Sequence, residues 1–176
     1  MTSEKNISYQ TRALVMTALL AALSCVATLV IRIPSPTGGY MNLGDTVVLL
    51  GAYLLGGAYG AAAGAIGPAL ADLVSGYIVY VPATLVIKAV MALIAAGIYH
   101  ACGRRTWSLI LASLCAELWM VIGYWLYVGT LTCSLAAPLA GVPSHLVQSA
   151  LGIVASTALA LALRTVRPVR DWFPKL

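Results

Sequence analysis

The chain has 176 residues, of which 61% are hydrophobic and 9% are charged, and its formal net charge is +5. A soluble globular domain carries about 25% charged residues, so these proportions exclude an ordinary soluble surface and indicate that lipid covers much of the chain. The basic residues are dispersed at the ends of apolar runs and no nucleic-acid motif accompanies them, so the positive charge does not predict a nucleic-acid partner.

Four apolar runs are long enough to cross a membrane as helices. About 20 helical residues span a hydrocarbon core of about 30 Å. The runs predict transmembrane helices at about residues 13–31, 81–102, 107–128 and 143–163. The first run is too long for the core of a signal peptide and no cleavage pattern follows it, so we interpret it as a retained helix.

The uncharged stretch from Thr46 to Ala71 has two interpretations. It fits one long helix, or two short helices at about residues 43–55 and 59–77 that turn at residues 55–60. Positively charged loops face the cytoplasm. Two short helices place eight basic residues on one side of the membrane and Arg32 on the other. The eight are Lys5, Arg12, Arg104, Arg105, Arg164, Arg167, Arg170 and Lys175.

This distribution predicts an all-α integral membrane protein. Residues 1–176 form one domain of six transmembrane helices, with both termini in the cytoplasm. Within it, Gly56, Gly60 and Gly64 recur at intervals of four, a spacing that lets helix backbones approach closely in lipid. We interpret these glycines as packing residues of the third helix, because no nucleotide-binding Walker motif is present.

In this topology the polar residues of the apolar helices converge in the outer half of the membrane. Ionisable residues there are costly and indicate function by default. Helical spacing places Thr84 with Lys88 on one face, and Met120 and Tyr124 with Glu117 on another. The pattern predicts a pocket open to the outside for a small planar, polar ligand. The candidate contacts are Asp72, Thr84, Lys88, Glu117, Met120, Tyr124, His145 and Gln148.

Structural roles for some of these residues stay open. Asp72 and Lys88 lie on consecutive helices and could neutralise each other, and Gln148 could join two helices. No catalytic or metal-ligand motif occurs, so we expect neither an enzyme nor a cofactor or metal. A small intramembrane enzyme that uses Glu117 and His145 is one alternative, and an assembly subunit without a ligand is another.

Several short motifs resemble the S components of energy-coupling factor (ECF) transporters. They cover nearly the whole chain in order, and the resemblance is closest to the riboflavin-type branch, which includes carriers of hydroxymethylpyrimidine and vitamin B6. The motifs are Asn42-Leu43-Gly44-Asp45, Val48-Leu49-Leu50, Gly60-Ala61 to Gly67, Ala71-Asp72-Leu73, Ser75-Gly76-Tyr77, Tyr80-Val81-Pro82-Ala83-Thr84, Ile87-Lys88, Glu117, Met120-Val121, Gly123-Tyr124 and Gln148 with Gly152.

The resemblance implies a six-helix S-component bundle and adds Asn42 to the candidate ligand contacts. It implies that residues 33–41 form a lid over the pocket, with Pro36, Gly38, Gly39 and Tyr40 as its characteristic residues. It further implies a membrane coupling subunit and two cytoplasmic ATPases as partners. Ala18 and Ala22 match the AxxxA docking motif of the first helix, although packing inside the bundle is an alternative role for them.

The identity of the ligand stays open at this point. The resemblance leads us to expect Asn near position 145, where this chain has His145. The predicted pocket region holds three carboxylates, and it lacks the Arg or Lys cluster that a phosphorylated ligand would require. The expected ligand is a neutral or weakly basic heteroaromatic vitamin or precursor. Hydroxymethylpyrimidine and pyridoxine fit best, and riboflavin and thiamine also fit.

Overall fold

The computed structural model describes residues 2–35 and 39–173, and helices dominate it. The all-α membrane architecture predicted from the sequence is confirmed at this level. The helices are α1 (Thr2–Val30), α2 (Gly44–Leu55), α3 (Gly57–Val74), α4 (Val81–Ala101), α5 (Thr106–Thr132), α6 (Val142–Thr165) and α7 (Arg167–Trp172). Short 3-10 turns at Ile78–Tyr80 and Ala137–Gly141 lead into α4 and α6.

Four segments of the described chain are long and apolar enough to cross a membrane. They are Gln10–Val30, Ile78–Ala101, Thr106–Thr132 and Ala137–Thr165. By contrast, α2 has 12 residues, and its length of about 18 Å is less than the thickness of the hydrocarbon core. Six spans and two cytoplasmic termini therefore stay predictions.

The short helix α2 forms the centre of the bundle. All of its residues are buried, and it packs against α1, α3, α4 and α6. A helix with apolar residues on all sides is typical of a protein core or a membrane. As a result, Asp45 in the first turn of α2 lies in the interior, where it is 1% exposed.

A tight turn at two glycines separates α2 from α3. Gly56 has φ of 65° and Gly57 has φ of 32°. These values lie in the left-handed region, which glycine enters without the steric penalty of a Cβ atom. The stretch from residue 46 to residue 71 therefore forms two helices with a turn between them.

Lipid-facing side chains lie on the outward sides of the helices. Large apolar residues that would be unfavourable in water are exposed there. They include Leu14, Leu19, Leu23 and Val26 on α1, Ile110, Leu114, Leu118 and Ile122 on α5, and Leu146, Val147, Leu151 and Val154 on α6. This surface fits a protein whose solvent is the bilayer.

The segment between α1 and α2 contains a small β hairpin that the sequence did not predict. Strand β1 (Arg32–Pro34) pairs antiparallel with β2 (Tyr40–Asn42), and Ile33 is opposite Met41. The hairpin lies in the segment expected to form a lid. Of the predicted lid residues, Gly39 and Tyr40 are described, whereas Pro36 and Gly38 lie outside the described residues.

Candidate functional site

A polar, aromatic cavity lies between the hairpin and the helices at one end of the bundle. The cavity volume is about 40 Å³, and the empty space between its lining atoms, counted out to the open mouth, is about 450 Å³. The lining residues are Gly39, Tyr40, Asn42, Asp72, Tyr77, Tyr80, Thr84, Tyr124, Val128, His145 and Gln148. The structure thus brings together residues of the hairpin, α3, α4, α5 and α6.

Hydrogen bonds from β2 and from Ser35, the residue that follows β1, hold the hairpin against the helices. The Tyr40 hydroxyl donates to Asp72 on α3 at 2.5 Å. The backbone N–H of Asn42 donates to the side-chain oxygen of Gln148 on α6 at 2.9 Å. The hydroxyl oxygens of Ser35 and Ser144 lie 2.9 Å apart. Burial is the main reason that the pKa of Tyr40 is raised well above its usual range, so this hydroxyl stays protonated and can donate.

Asp72 is the carboxylate that lines the cavity. Its second oxygen accepts a hydrogen bond from the Thr84 hydroxyl at 2.5 Å. The Thr84 oxygen in turn lies 2.9 Å from the Tyr124 hydroxyl. The described partners of Asp72 are therefore neutral hydroxyl groups, and the Asp72–Lys88 pair that the sequence left open is not formed.

Lys88 pairs with Asp45 instead, in a buried cluster next to the cavity. Its ammonium group donates to one oxygen of Asp45, and the two side chains are 2% and 1% exposed. The Gln148 side-chain N–H donates to the other Asp45 oxygen at 2.6 Å. Gln148 therefore joins the hairpin to the ion pair. The sequence left a structural pair of Asp72 and Lys88 open as one possibility, and the central position of α2 brings Lys88 to Asp45 instead.

Glu117 lies in the same buried cluster and is 1% exposed. Among the described residues neither carboxylate oxygen has a hydrogen bond of good geometry, although the Ser149 hydroxyl is close enough to interact with the carboxylate. It interacts electrostatically with Asp45 and Lys88. Gly152 leaves room for it, because a Cβ atom at that position would clash with the Glu117 carboxylate.

Three predicted ligand contacts do not line the cavity in its present form. Glu117, Lys88 and Met120 are nearly or fully buried and are not among the lining residues. Ligand contact by these three side chains would therefore require the cavity to deepen. The other predicted contacts, Asn42, Asp72, Thr84, Tyr124, His145 and Gln148, line it together with Gly39 and Tyr40 of the hairpin.

Aromatic rings make up much of the cavity wall. Tyr40 and Tyr77 have ring centroids 4.9 Å apart, and Tyr77 and Tyr80 have centroids 6.2 Å apart. The His145 ring is stacked on Tyr124 at 5.5 Å with an interplanar angle of 8°. The candidate list from the sequence missed Tyr77, Tyr80 and Val128. The motifs that resemble S components include both tyrosines, which was the signal available for them.

The proposed docking residues of α1 face outward. Ala18 and Ala22 are exposed, whereas Ala21 between them is buried. They lie beside the exposed Leu19 and Leu23 on an apolar surface. Packing inside the bundle, the alternative role for Ala18 and Ala22, does not agree with this position.

Comparison with known proteins assigns the chain to a family. Residues 8–165 match the family described as "ECF-type riboflavin transporter, S component". The chain belongs to this family. A protein of Pyrococcus woesei described as "Uncharacterized protein in gap 3'region" is 37% identical over 100 residues, which are 56% of this chain and 66% of the relative. The match therefore spans just under two thirds of that relative's length.

Family membership confirms the resemblance to S components found in the sequence. It also confirms a multi-pass protein of the cell membrane, in agreement with the four long apolar helices. The family comprises transporter subunits, so the alternative of an intramembrane enzyme loses its support. The ligand of this chain is a separate question.

Proposed function

We propose that this chain is the substrate-binding subunit of an ECF-type vitamin transporter and that the cavity below the β hairpin binds the vitamin. The observation that supports this most directly is an aromatic, polar cavity that combines residues of the hairpin and four helices in a chain of the S-component family. A small heteroaromatic such as hydroxymethylpyrimidine or pyridoxine fits the lining, and riboflavin and thiamine also fit.

The cavity supplies both stacking surfaces and hydrogen-bonding groups. His145 lies flat on Tyr124, and its Nδ1 atom is buried without a partner among the described residues. A buried polar atom without a hydrogen-bond partner is unfavourable. A ligand group that hydrogen-bonds to it would therefore contribute more binding free energy than the same bond formed at a surface exposed to water. A planar ring with polar substituents meets both requirements.

We propose that the hairpin moves when a ligand enters, because the cavity leaves little room below it. A volume of about 40 Å³ holds a few water molecules and is too small for a heteroaromatic vitamin. Each hydrogen bond that holds the hairpin contributes about 0.5–1.5 kcal/mol. The contacts that a ligand makes in the opened cavity must offset this cost and still leave the net binding free energy, which is about 8 kcal/mol for a micromolar ligand.

Ligand identification by mass spectrometry is the direct test of this proposal. The purified protein should carry a small heteroaromatic molecule, and the same compound should bind the emptied protein in calorimetry. The absence of any heteroaromatic molecule, together with no measurable binding of the four candidate compounds, would contradict a vitamin-binding function.

Glu117 provides a test of how deep the ligand reaches. Its unpartnered carboxylate would accept a hydrogen bond from an exocyclic donor of the ligand if the cavity deepens past Gln148. A hydrogen bond to a charged group contributes about 1.5–3 kcal/mol, so Glu117→Gln should weaken ligand affinity by about ten- to a hundredfold. The measurement is calorimetry on folded, detergent-purified protein. An unchanged affinity would make Glu117 a structural residue and place the cavity floor at Gln148.

The proposed partners are a membrane coupling subunit and two cytoplasmic ATPases. No nucleotide-binding motif is present in the sequence, so we propose that energy for concentrative uptake comes from these partners. The exposed face of α1 at Ala18 and Ala22 is the proposed docking surface, because small residues allow another helix to approach closely.

The double substitution Ala18→Leu and Ala22→Leu tests this surface. It should reduce co-purification with the coupling subunit at least about tenfold, because the larger side chains hold the two backbones apart. Ligand affinity should stay unchanged. Ala150→Leu and Ala158→Leu on the exposed side of α6 are matched controls. Equal loss of the partner in both double variants would rule out a specific role for the α1 face.

A further inference from the structure

The charges around the cavity are not balanced by the residues that surround it. Lys88 forms the buried ion pair with Asp45. Asp72 is hydrogen-bonded to the hydroxyl groups of Tyr40 and Thr84. Arg32 is exposed and donates to Ser75 at 2.6 Å, outside the cavity lining. Within the described chain, no cation is bonded to Asp72.

A second carboxylate without a cation lies in the adjacent cluster. Both Glu117 oxygens are buried without a partner among the described residues. Asp45 is already paired with Lys88, so this ammonium group cannot fully compensate Glu117 as well. Lys88 exerts some attraction on Asp72 and Glu117 from a distance. Three carboxylates nevertheless surround one ammonium group, and burial makes that excess unfavourable.

The aromatic residues of the cavity suit a positive charge. The faces of tyrosine rings carry negative electrostatic potential and attract cations that lie within about 6 Å. The Lys88 ammonium group already lies 5.6 Å from the centroid of the Tyr124 ring. The contiguous rings of Tyr40, Tyr77 and Tyr80 lie in the cavity wall with Asp72. A group of tyrosines around a carboxylate is the arrangement that recognises organic cations.

Building on the proposed function, we propose that the ligand of this cavity is a heteroaromatic molecule that carries a positive charge. Its ring packs against the tyrosines, and its cationic nitrogen lies near Asp72. A cationic group would form a charge-assisted hydrogen bond with Asp72, which is stronger than one formed by a neutral hydroxyl group. The sequence-based expectation was a neutral or weakly basic ligand, drawn from three carboxylates and one lysine in the predicted pocket region.

Two matched pairs of compounds test the charge directly on the unmodified protein. Pyridoxamine and pyridoxine differ by an aminomethyl group in place of a hydroxymethyl group, and the aminomethyl and hydroxymethyl forms of the pyrimidine differ in the same way. Calorimetry at pH 7 on detergent-purified protein should show that the cationic member of at least one pair binds about ten- to a hundredfold more tightly. This range corresponds to the contribution of a charge-assisted hydrogen bond.

Two variants test whether Asp72 is the cause of the preference for the cationic compound. In Asp72→Asn, the cationic and neutral members of the preferred pair should bind with affinities within about threefold of each other, because the shape of the side chain is kept and its charge is lost. Tyr40→Phe removes a hydrogen bond to Asp72 and keeps its charge, so the affinity ratio of the pair should persist. A ratio that survives in Asp72→Asn would overturn the role of Asp72.

The outcome also separates this inference from the proposed function. If riboflavin or the neutral members of the pairs bind at least as tightly as thiamine and the cationic members, the inference is wrong and the vitamin-binding function stands. If none of these compounds, riboflavin or thiamine binds, both are wrong. Such a result would mean that the cavity lining does not recognise a heteroaromatic vitamin.

Discussion

Replacing Lys88 with Met is expected to destabilise the folded protein by about 3–5 kcal/mol. The substitution keeps most of the length and apolar stem of the side chain but removes the ammonium group that Asp45 requires. Asp45 is 1% exposed and would be left as a buried carboxylate with Gln148 as its described hydrogen-bond partner. Glu117, a like charge, interacts with the same aspartate. Removing one partner of a buried ion pair leaves an uncompensated charge, which costs far more than the pair itself contributes.

Thermal unfolding in detergent measures this effect. The melting temperature of Lys88→Met should fall by roughly 6–20 °C for a chain of this size. The double variant Lys88→Met and Asp45→Asn is the control, because it removes both charges and keeps the shape. It should recover much of the lost stability. A single variant as stable as the wild type would show that Asp45 is not held as a buried anion.

Replacing Gly67 with Ala is expected to destabilise the bundle by about 1–3 kcal/mol, and we expect a loss of stability towards the upper end of that range. A Cβ atom at Gly67 would clash with the backbone oxygen of Ala21 and would lie 2.8 Å from the Ser24 side chain. Backbone atoms of a packed helix cannot rotate away, so α1 and α3 would have to separate. Apolar contact between the two helices would be lost along with the clash.

Gly97→Ala on α4 is the matched control for Gly67→Ala. No atom lies within 4 Å of a Cβ atom built at Gly97, so this substitution should be neutral or slightly stabilising because alanine favours helix formation. The measurement is the melting temperature of both variants under one detergent condition. Equal melting temperatures would show that α1 and α3 tolerate separation.

The glycine repeat shows which packing contacts a local sequence pattern can predict. The recurrence of Gly56, Gly60 and Gly64 predicted close packing of the third helix. In the structure, Cβ atoms at Gly60 and Gly64 would come within 2.9 Å of Ala52 and Val48 on α2. The sequence pattern identified the packing face but not its partners. It also did not extend to Gly67, which makes the closer approach to α1.

The sequence alone determined the environment of this protein and the position of its main helices. Low charge content and long apolar runs require a lipid environment. In lipid every backbone polar group must form its hydrogen bond within the protein, so an apolar run has few alternatives to a helix. Motif order was also sufficient to indicate the S-component family, which residues 8–165 match. These features depend on composition and local order, which a sequence contains in full.

Tertiary structure decided which polar residues meet. Helical periodicity relates residues on one helix, such as Glu117 and Met120, but carries no information about which helices are neighbours. The central position of α2 brings Asp45 to Lys88 and leaves Asp72 with hydroxyl partners. Charges in a low-dielectric interior interact strongly because little water screens them. The choice of neighbouring helices therefore determines which carboxylates have a cationic partner, and helical periodicity cannot predict that choice.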